Sequence, residues 1–314
     1  MIIRACHANE TFTSLMDGLH RVKLNVIISS KKIRSGPLRT EAVKGDNQLI
    51  FTVIGTGNMG QALVSGFLGQ GILKPIELRV CDSDLNKAKN FADKNGCAPF
   101  GEASKAVIDS DYVLLSVKPQ VIDSVLDGIL PFLDSKTVVI SIAASVTLDR
   151  LRRHLAGNTP IIRVMPNTPA LAGAAVSAVC SDQVDAERLA FVIELLGSCG
   201  IVVPCSEAQL DAIGCVSGTG PAYVMLFLEA MADAAVKLGI PRDTALRISA
   251  QTIYGSGKLA IETGLHPAVL KDQVCSPGGT TIEGVLALEK FGLRAAVEAA
   301  VEAADEKTKR LAGG

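Results

Sequence analysis

Short apolar runs and helical apolar patterns alternate from residue 49 to residue 207. The runs predict strands at residues 49–54, 76–81, 112–117, 137–142 and 161–165, with shorter strands near residues 174–180 and 201–204. Helical periodicity lies between them, at residues 61–68, 85–95, 121–130, 148–154 and 186–196. Strands that are apolar throughout are buried on both faces, so this order predicts an α/β fold with a doubly wound, mostly parallel sheet.

After Glu207 no further strand is predicted, and helical patterns follow one another at residues 222–238, 243–263 and 293–311. The first of these is apolar nearly all round, and such a helix must be buried. The C-terminal part is too short to cover this surface by itself. We infer that a second subunit covers it, which gives an obligate homodimer with interlocked helices. Packing against the first domain alone is the alternative.

Composition narrows the classes of partner. The chain has 314 residues, of which 48% are apolar and 20% charged, and its net charge of −1 gives no reason to expect a nucleic-acid partner. The eight cysteines are scattered without a C-x-x-C pair, as in a reduced intracellular protein. The four histidines form no metal-ligand pattern, so no metal site is predicted. No uninterrupted apolar run is long enough for a bilayer, so we expect a soluble chain with no membrane partner.

A glycine fingerprint follows the first predicted strand. Gly55, Gly57 and Gly60 form G-x-G-x-x-G between that strand and a helix, which is the context of dinucleotide binding in a Rossmann domain. The three glycines suit a tight turn, a close approach of the pyrophosphate to the backbone, and packing of helix on strand. The fingerprint therefore predicts a bound dinucleotide.

Asp82 ends the second predicted strand, where an acid can hydrogen-bond the adenosine ribose. An aspartate there repels a 2′-phosphate and favours NADH. The other interpretation is that Asp82 is the N-cap of the helix that begins near Leu85.

Other strand exits should line the same ligand, because it lies across the carboxyl ends of the strands. Lys118 is either a ligand contact or a solvated loop cation. Asn167 lies between two prolines in a stiff turn, which suits either a positioned amide or a structural one.

The chain divides into three parts: a basic, poorly ordered extension at residues 1–48, a Rossmann domain at 49–207, and a helical dimerisation and substrate domain at 208–314. Between Lys23 and Lys44 the extension carries six cations against one acid. It is either a transit peptide for a mitochondrion or plastid, or an extension without an address in a cytoplasmic protein. Glu10 and Asp17 lie upstream, whereas transit peptides are poor in acids.

The stretch S-P-G-G-T-T at residues 276–281 consists of small and turn-forming residues ahead of a predicted helix. Thr280 and Glu283 have capping-box spacing, which predicts Thr280 as the N-cap. Free amides and the positive end of a helix dipole then point at one spot, which suits a small anion such as a carboxylate. An ordinary helix start with a tight turn is the alternative interpretation.

Five motifs occur together in order: I-G-T-G-N-M-G (54–60), S-V-K-P-Q (116–120), R-V-M-P-N-T-P (163–169), S-G-T-G-P-A-Y (217–223) and H-P-A-V-L-K-D-Q-V-C-S-P-G-G-T-T-I-E-G (266–284). With them the chain closely resembles pyrroline-5-carboxylate reductases over residues 49 to about 311. The last motif is far more specific than the glycine fingerprint. The extension lies outside the resemblance, and Asp82 departs from family members with neutral or basic residues at that position.

The resemblance implies the final step of proline biosynthesis, reduction of the small molecule 1-pyrroline-5-carboxylate by NADPH or NADH, in a homodimer that can assemble into a decamer of five dimers. It implies that Ser276 and Thr281 are catalytic, that Ser276 with the backbone around Gly278, Gly279, Thr280 and Thr281 binds the substrate carboxylate, and that Thr281 hydrogen-bonds near the ring nitrogen. Asn167 would lie near the nicotinamide, and Gln273 would touch the cofactor. The dinucleotide would otherwise be lined by Ile54, Gly55, Thr56, Gly57, Asn58, Met59, Asp82, Ser116, Val117, Lys118, Pro119, Ile142, Ala143 and Ala144.

Two rival functions remain at this point. A 2-hydroxyacid dehydrogenase of the same plan needs a base, usually a lysine on the first long helix of the second domain. That helix offers only Lys237, near its far end, and Lys258 on the next helix is the other candidate. A nucleotide-sensing or scaffold protein would keep the fold without turnover, but it would not need the loop at residues 276–281. Imine reduction needs positioning more than a strong base, which fits a site of hydroxyls and amides.

Overall fold

The computed structural model describes residues 48–312, so the predictions for the N-terminal extension lie outside the described residues. The strands are β1 (Phe51–Ile54), β2 (Leu78–Cys81), β3 (Ala98–Phe100), β4 (Tyr112–Leu115), β5 (Val138–Ser141), β6 (Ile161–Met165), β7 (Ala175–Asp182) and β8 (Gly200–Pro204). The helices of the first half are α1 (Asn58–Gly69), α2 (Leu85–Asn95), α3 (Ala103–Ala106), α4 (Ile122–Ile129), α5 (Leu148–His154) and α6 (Ala186–Gly197). Those of the second half are α7 (Glu207–Ser217), α8 (Gly220–Lys237), α9 (Arg242–Thr263), α10 (Pro267–Val274), α11 (Thr280–Lys290) and α12 (Leu293–Ala312).

One sheet holds the eight strands in the order β3-β2-β1-β4-β5-β6-β7-β8. Every neighbouring pair is parallel except β6 with β7, which run antiparallel. The prediction of a doubly wound, mostly parallel sheet is therefore confirmed. The short β3 and α3 were not predicted, because three residues at a sheet edge, one of them a proline, leave no readable apolar period.

Both faces of the sheet are covered, which explains the continuous apolar runs. Along β4, Tyr112 and Leu114 face one apolar cluster, whereas Val113 and Leu115 face the other. The first cluster includes residues of α1, α2 and α6, and the second includes residues of α4 and α5. Tyr112 also stacks on Phe51, with the ring centroids 5.9 Å apart. A strand in this position must be apolar on both sides, as the sequence is.

The helical half leaves much apolar surface exposed in one chain. Leu226 on α8 is 67% exposed and Ile261 on α9 is 79% exposed. The two helices pack against each other. In the part of the chain that the structure describes, the sheet half does not cover these faces, so packing against the first domain alone is wrong as an explanation of the apolar pattern. Exposed apolar faces on two packed helices mark an interaction surface.

The stretch Glu207–Lys237, which spans α7 and α8, is long and apolar enough to cross a bilayer by length and composition alone. The stretch contains Glu229 and Asp233, so it is not an uninterrupted apolar run, and the absence of a membrane partner stays a prediction. The same stretch includes the exposed apolar face of α8, and such a face is also typical of a helix that packs against a protein partner.

A buried arginine joins the two halves. Arg163 on β6 is only 1% exposed, and its guanidinium lies 2.8 Å from Oε1 of Glu207 and 2.6 Å from Oδ1 of Asp211. The same Oε1 of Glu207 accepts the amide of Leu148 at the start of α5, at 2.7 Å. Since a buried charge is stable only when it is paired, these contacts hold the first turns of α7 against the sheet.

We predict that Asp211→Ala lowers the free energy of unfolding by about 1.5–3 kcal/mol, the range for a hydrogen bond to a charged group. Urea unfolding at one protein concentration measures the loss. The control is Asp305→Ala, which removes the exposed pair with Lys309 and should lower it by about 0–1 kcal/mol. Equal losses in both variants would show that the buried arginine does not hold α7 to the sheet.

Candidate functional site

The glycine loop forms a tight turn against the exit of β4. Gly55 has φ +96°, and a Cβ on it would lie 2.4 Å from the carbonyl oxygen of Ser116. A Cβ on Gly60 would lie 2.6 Å from Oγ of Ser116 and 2.8 Å from the carbonyl oxygen of Gly55. Neither glycine tolerates a side chain without a shift of its surroundings, so the turn and the helix start are packed on the strand end.

Gly57 differs, because a Cβ built on it meets no atom of the described residues within 4 Å. It is also the N-cap of α1, which has no side-chain cap. The open side of Gly57 and the first amides of α1 therefore form a space that a side chain would fill and that an anionic group suits. The diphosphate of a nicotinamide dinucleotide fits this arrangement.

Asp82 is tied to the glycine loop. Its Oδ2 accepts the amide and the hydroxyl of Thr56, each at 2.9 Å, and its Oδ1 accepts the amide of Asp84 at 3.0 Å. The N-cap of α2 is Asp84, whose side chain accepts the amide of Asn86. The interpretation of Asp82 as that N-cap is therefore wrong: the side chain two residues later occupies the position from which the first-turn amides are reached.

The carboxyl of Asp82 is ionised in the neutral range. Burial acts to raise its pKa, but hydrogen bonds from the amides of Thr56 and Asp84 and from the Thr56 hydroxyl outweigh it and lower the pKa below its ordinary value. Beside it, burial raises the pKa of the Cys81 thiol to about 11. The exit of β2 thus carries a fixed negative charge and a protonated thiol.

The exits of β4 and β5 lie side by side. The amide of Ser116 donates to the carbonyl of Ile54, and the amide of Ile142 to the carbonyl of Leu115, at 2.8 and 3.2 Å. A cleft of about 260 Å³ is lined by Pro119 and Ala144 together with Gln120, Ser145, Arg150 and Leu311. These last four residues were not predicted as site residues from the sequence. Arg150 and Leu311 come from helices, so no strand-exit pattern indicates them.

Asn167 has both polar atoms of its amide engaged inside the fold. Its Nδ2 donates to the carbonyl of Ser217 at 2.9 Å, and its Oδ1 accepts the amide of Val176 at 2.9 Å. The stiff turn after β6 is thereby joined to β7 and to the end of α7. The structural role considered for this residue is present, and a contact with the nicotinamide stays a prediction.

The loop at residues 276–281 turns into α11. Gly278 has φ +66°, and the amide of Gly279 donates to the carbonyl of Ser276 at 3.0 Å. A Cβ on Gly279 would lie 2.5 Å from Oγ of Ser276, so only a glycine lets this hydroxyl lie over the loop.

The N-cap of α11 is Gly279, so the predicted capping box of Thr280 and Glu283 is wrong. Thr280 is already the first helical residue, from which its side chain cannot cap the amides that follow. In the described residues no side chain caps this helix, so its first amides remain available to an anion.

The two groups of predicted residues lie on different parts of the chain. Gln273 is exposed in the last turn of α10, next to the loop, and α11 packs against α12. Within residues 48–312 no hydrogen bond joins the loop to the glycine fingerprint or to the strand exits.

The dehydrogenase rival finds little support, because Lys258 lies on an exposed face with its ammonium 3.7 Å from Glu262.

Comparison with known proteins gives the same assignment as the motifs. Residues 207–311 match the family model for pyrroline-5-carboxylate reductase dimerisation, and residues 50–145 match the model described as NADP oxidoreductase coenzyme F420-dependent. The chain is 42% identical to the pyrroline-5-carboxylate reductase of Escherichia coli over 259 residues, which are 82% of this chain and 96% of that protein. The Arabidopsis thaliana pyrroline-5-carboxylate reductase is 39% identical over 82% of this chain and 94% of its own length.

Solved structures agree with this assignment. The pyrroline-5-carboxylate reductase of Coxiella burnetii superposes with a TM-score of 0.79 at 33% identity, covering 84% of this chain and 99% of that one. The pyrroline carboxylate reductase of Plasmodium falciparum, solved with NADP bound, superposes with a TM-score of 0.76 at 32% identity, covering 84% and 98%. The resemblance seen in the five motifs is confirmed: the chain belongs to the pyrroline-5-carboxylate reductase family.

Proposed function

We propose that this chain reduces 1-pyrroline-5-carboxylate to L-proline with a reduced nicotinamide dinucleotide, the last step of proline biosynthesis. The observation that carries this proposal is the glycine-bounded loop at residues 276–281, which ends in a helix without a side-chain cap. A substrate with one carboxylate and a polarised ring nitrogen needs an anion site and a nearby hydroxyl, and this loop offers both.

The chain acts mainly by positioning. Ser276 and the amides around Gly279 hold the carboxylate, and the hydroxyl of Thr281 lies towards the ring nitrogen. When bound, the dinucleotide supplies the hydride that adds to the imine carbon. Protonation of the imine nitrogen makes that carbon electrophilic, and water or a substrate that is already protonated supplies the proton. A strong base is therefore not needed.

Absorbance of the reduced nicotinamide tests this activity. Purified full-length chain is mixed with 1-pyrroline-5-carboxylate, with NADH and NADPH in separate reactions, and formation of proline is measured alongside. Consumption of either cofactor with an equal amount of proline supports the proposal. A folded, oligomeric chain that consumes neither cofactor would refute it and would favour the sensor hypothesis.

Thr281→Val keeps the shape of the side chain but removes one hydrogen bond to a polarised group. We predict a loss of about 1.5–3 kcal/mol of transition-state stabilisation, which is a roughly ten- to hundred-fold lower kcat/KM. The control is Thr263→Val, because within residues 48–312 the Thr263 hydroxyl bonds only its own helix end, at Leu259 and Leu265. If kcat/KM is the same in Thr281→Val as in the unaltered chain, Thr281 has no part in the reaction.

We further propose that the chain prefers NADH, because an acid at the end of the second strand of a Rossmann domain faces the adenosine ribose, where its charge repels a 2′-phosphate. Asp82→Ser should raise kcat/KM with NADPH relative to NADH by roughly ten-fold, equivalent to about 1.4 kcal/mol. Steady-state kinetics with both cofactors measure the ratio. A ratio that stays constant, or moves towards NADH, would remove Asp82 from cofactor choice.

The functional particle is proposed to be a homodimer, which can assemble further into a decamer of five dimers without a membrane partner. The exposed apolar faces of α8 and α9 support this arrangement, as does the match of residues 207–311 to the dimerisation model. We predict that Leu226→Glu on α8 lowers the particle mass, whereas Leu171→Glu, an equally exposed leucine in the sheet half, does not. Sedimentation velocity without detergent measures both variants. A monomeric or membrane-bound unaltered chain would contradict the proposal.

A further inference from the structure

Thr56 is a buried residue of the glycine loop with two donors on one carboxylate oxygen. Its side chain is 3% exposed, and its amide and its hydroxyl both reach Oδ2 of Asp82 at 2.9 Å. The glycine fingerprint gives this position no side-chain role, since only the glycines are specified. A hydroxyl that shares an oxygen with the neighbouring backbone amide therefore needs an explanation of its own.

The acceptor directions of Asp82 are mostly used. An ionised carboxylate offers about four lone-pair directions, two on each oxygen. Thr56 fills both directions of Oδ2, the amide of Asp84 fills one of Oδ1 at 3.0 Å, and the Ser83 hydroxyl approaches the last only at 3.5 Å. Asp82 therefore has one acceptor direction left for a strong hydrogen bond, and that direction belongs to Oδ1.

The same contacts fix where the negative charge stands. A carboxylate held from both sides by donors cannot rotate away from an approaching anion. An aspartate without these contacts can turn towards solvent and make room for a phosphate. The nearby cation Lys87 is exposed, so solvent and salt screen its attraction for a phosphate more strongly than they screen the buried side of Asp82.

We propose that Thr56 is a specificity-determining positioning residue, whose hydroxyl holds Asp82 in the orientation that disfavours a 2′-phosphate and presents Oδ1 to one ribose hydroxyl. This inference deepens the proposed function and rests on its use of a nicotinamide dinucleotide. It assigns cofactor choice to a pair of residues from two segments of the chain, the glycine loop and the exit of β2.

The hydroxyl of Thr56 can be removed with little effect on the loop backbone. The amide of Gly55 donates to the carbonyl of Cys81 at 2.8 Å, and Nε2 of Gln61 donates to the carbonyl of Thr56 at 2.7 Å. Neither contact uses the hydroxyl. Thr56→Val keeps the β-branched shape, so the variant tests the hydroxyl separately from the turn.

Dissociation constants of NADH and NADPH, measured by nicotinamide fluorescence on the full chain, test the inference without turnover. The expected result for Thr56→Val is a roughly three- to ten-fold shift of the affinity ratio towards NADPH, the size of one hydrogen bond. Thr56→Ser keeps the hydroxyl and should keep the original ratio. Thr52→Val is the matched control, because Thr52 is a buried threonine on β1 whose hydroxyl bonds Ala106 and Ser110 instead.

The variant Asp82→Ser shows whether Thr56 acts through Asp82. In that background Thr56→Val should leave the affinity ratio unchanged, because the group that the hydroxyl positions is gone. A shift as large as in the unaltered background would overturn the inference. So would equal weakening of both dinucleotides by Thr56→Val, or a shift of the ratio by Thr56→Ser. If Thr56→Val does not fold, Thr56→Ala takes its place.

Failure of the inference is separable from failure of the proposed function. A chain that binds the dinucleotides with the expected ratios but does not reduce 1-pyrroline-5-carboxylate refutes the function and keeps the role of Thr56. A chain that reduces the substrate while Thr56→Val leaves the affinity ratio unchanged keeps the function and refutes that role.

Discussion

The position of the helical half depends on one helix, α7, that polar contacts hold to the sheet at both ends. Its first turns carry Glu207 and Asp211, which pair with the buried Arg163 of β6. Its last residue, Ser217, accepts a hydrogen bond from Asn167, four residues after Arg163 in the chain. Breaking a buried ion pair leaves one charge unpaired and away from water, which is costly. These contacts therefore fix the position of α7 on the sheet. The elements from α8 onwards come after α7 in the chain, and the loop at residues 276–281 is among them.

The site has the chemistry that imine reduction requires. The Asp82 charge and the open side of Gly57 belong to the sheet half, whereas the loop at residues 276–281 and its hydroxyls belong to the helical half. Neither group contains a side chain suited to strong base catalysis, which agrees with a reaction whose barrier falls mainly through alignment of hydride donor and imine. In the helical half, α8 and α9 carry more apolar surface than one chain buries.

Most of the sheet could be predicted from the sequence, because strands buried on both faces leave continuous apolar runs. The bounds of α2, α5 and β6 agree with the predicted ranges to the residue. The sequence-based predictions failed where a contact depends on a distant segment of the chain or on the local backbone geometry at a helix start. In the sequence Arg163 interrupts an apolar strand, and its partners Glu207 and Asp211 lie on α7, 44 and 48 residues later. The N-cap roles proposed for Asp82 and Thr280 are taken by residues whose backbone is extended just before the helix, Asp84 and Gly279. For the site, the motifs predicted which residues to consider, and their roles stay predictions. The bonds between Thr56 and Asp82 join two distant segments and are visible only in the structure.

We propose above all that the loop at residues 276–281 recognises the carboxylate of a cyclic imine. The most direct test compares kcat/KM for 1-pyrroline-5-carboxylate with kcat/KM for 1-pyrroline, the same ring without the carboxylate, in the unaltered chain and in Ser276→Ala. We expect much slower use of 1-pyrroline by the unaltered chain, and a loss in Ser276→Ala that is confined to the carboxylate substrate. Equal use of both imines, or an equal loss on both in the variant, would contradict it.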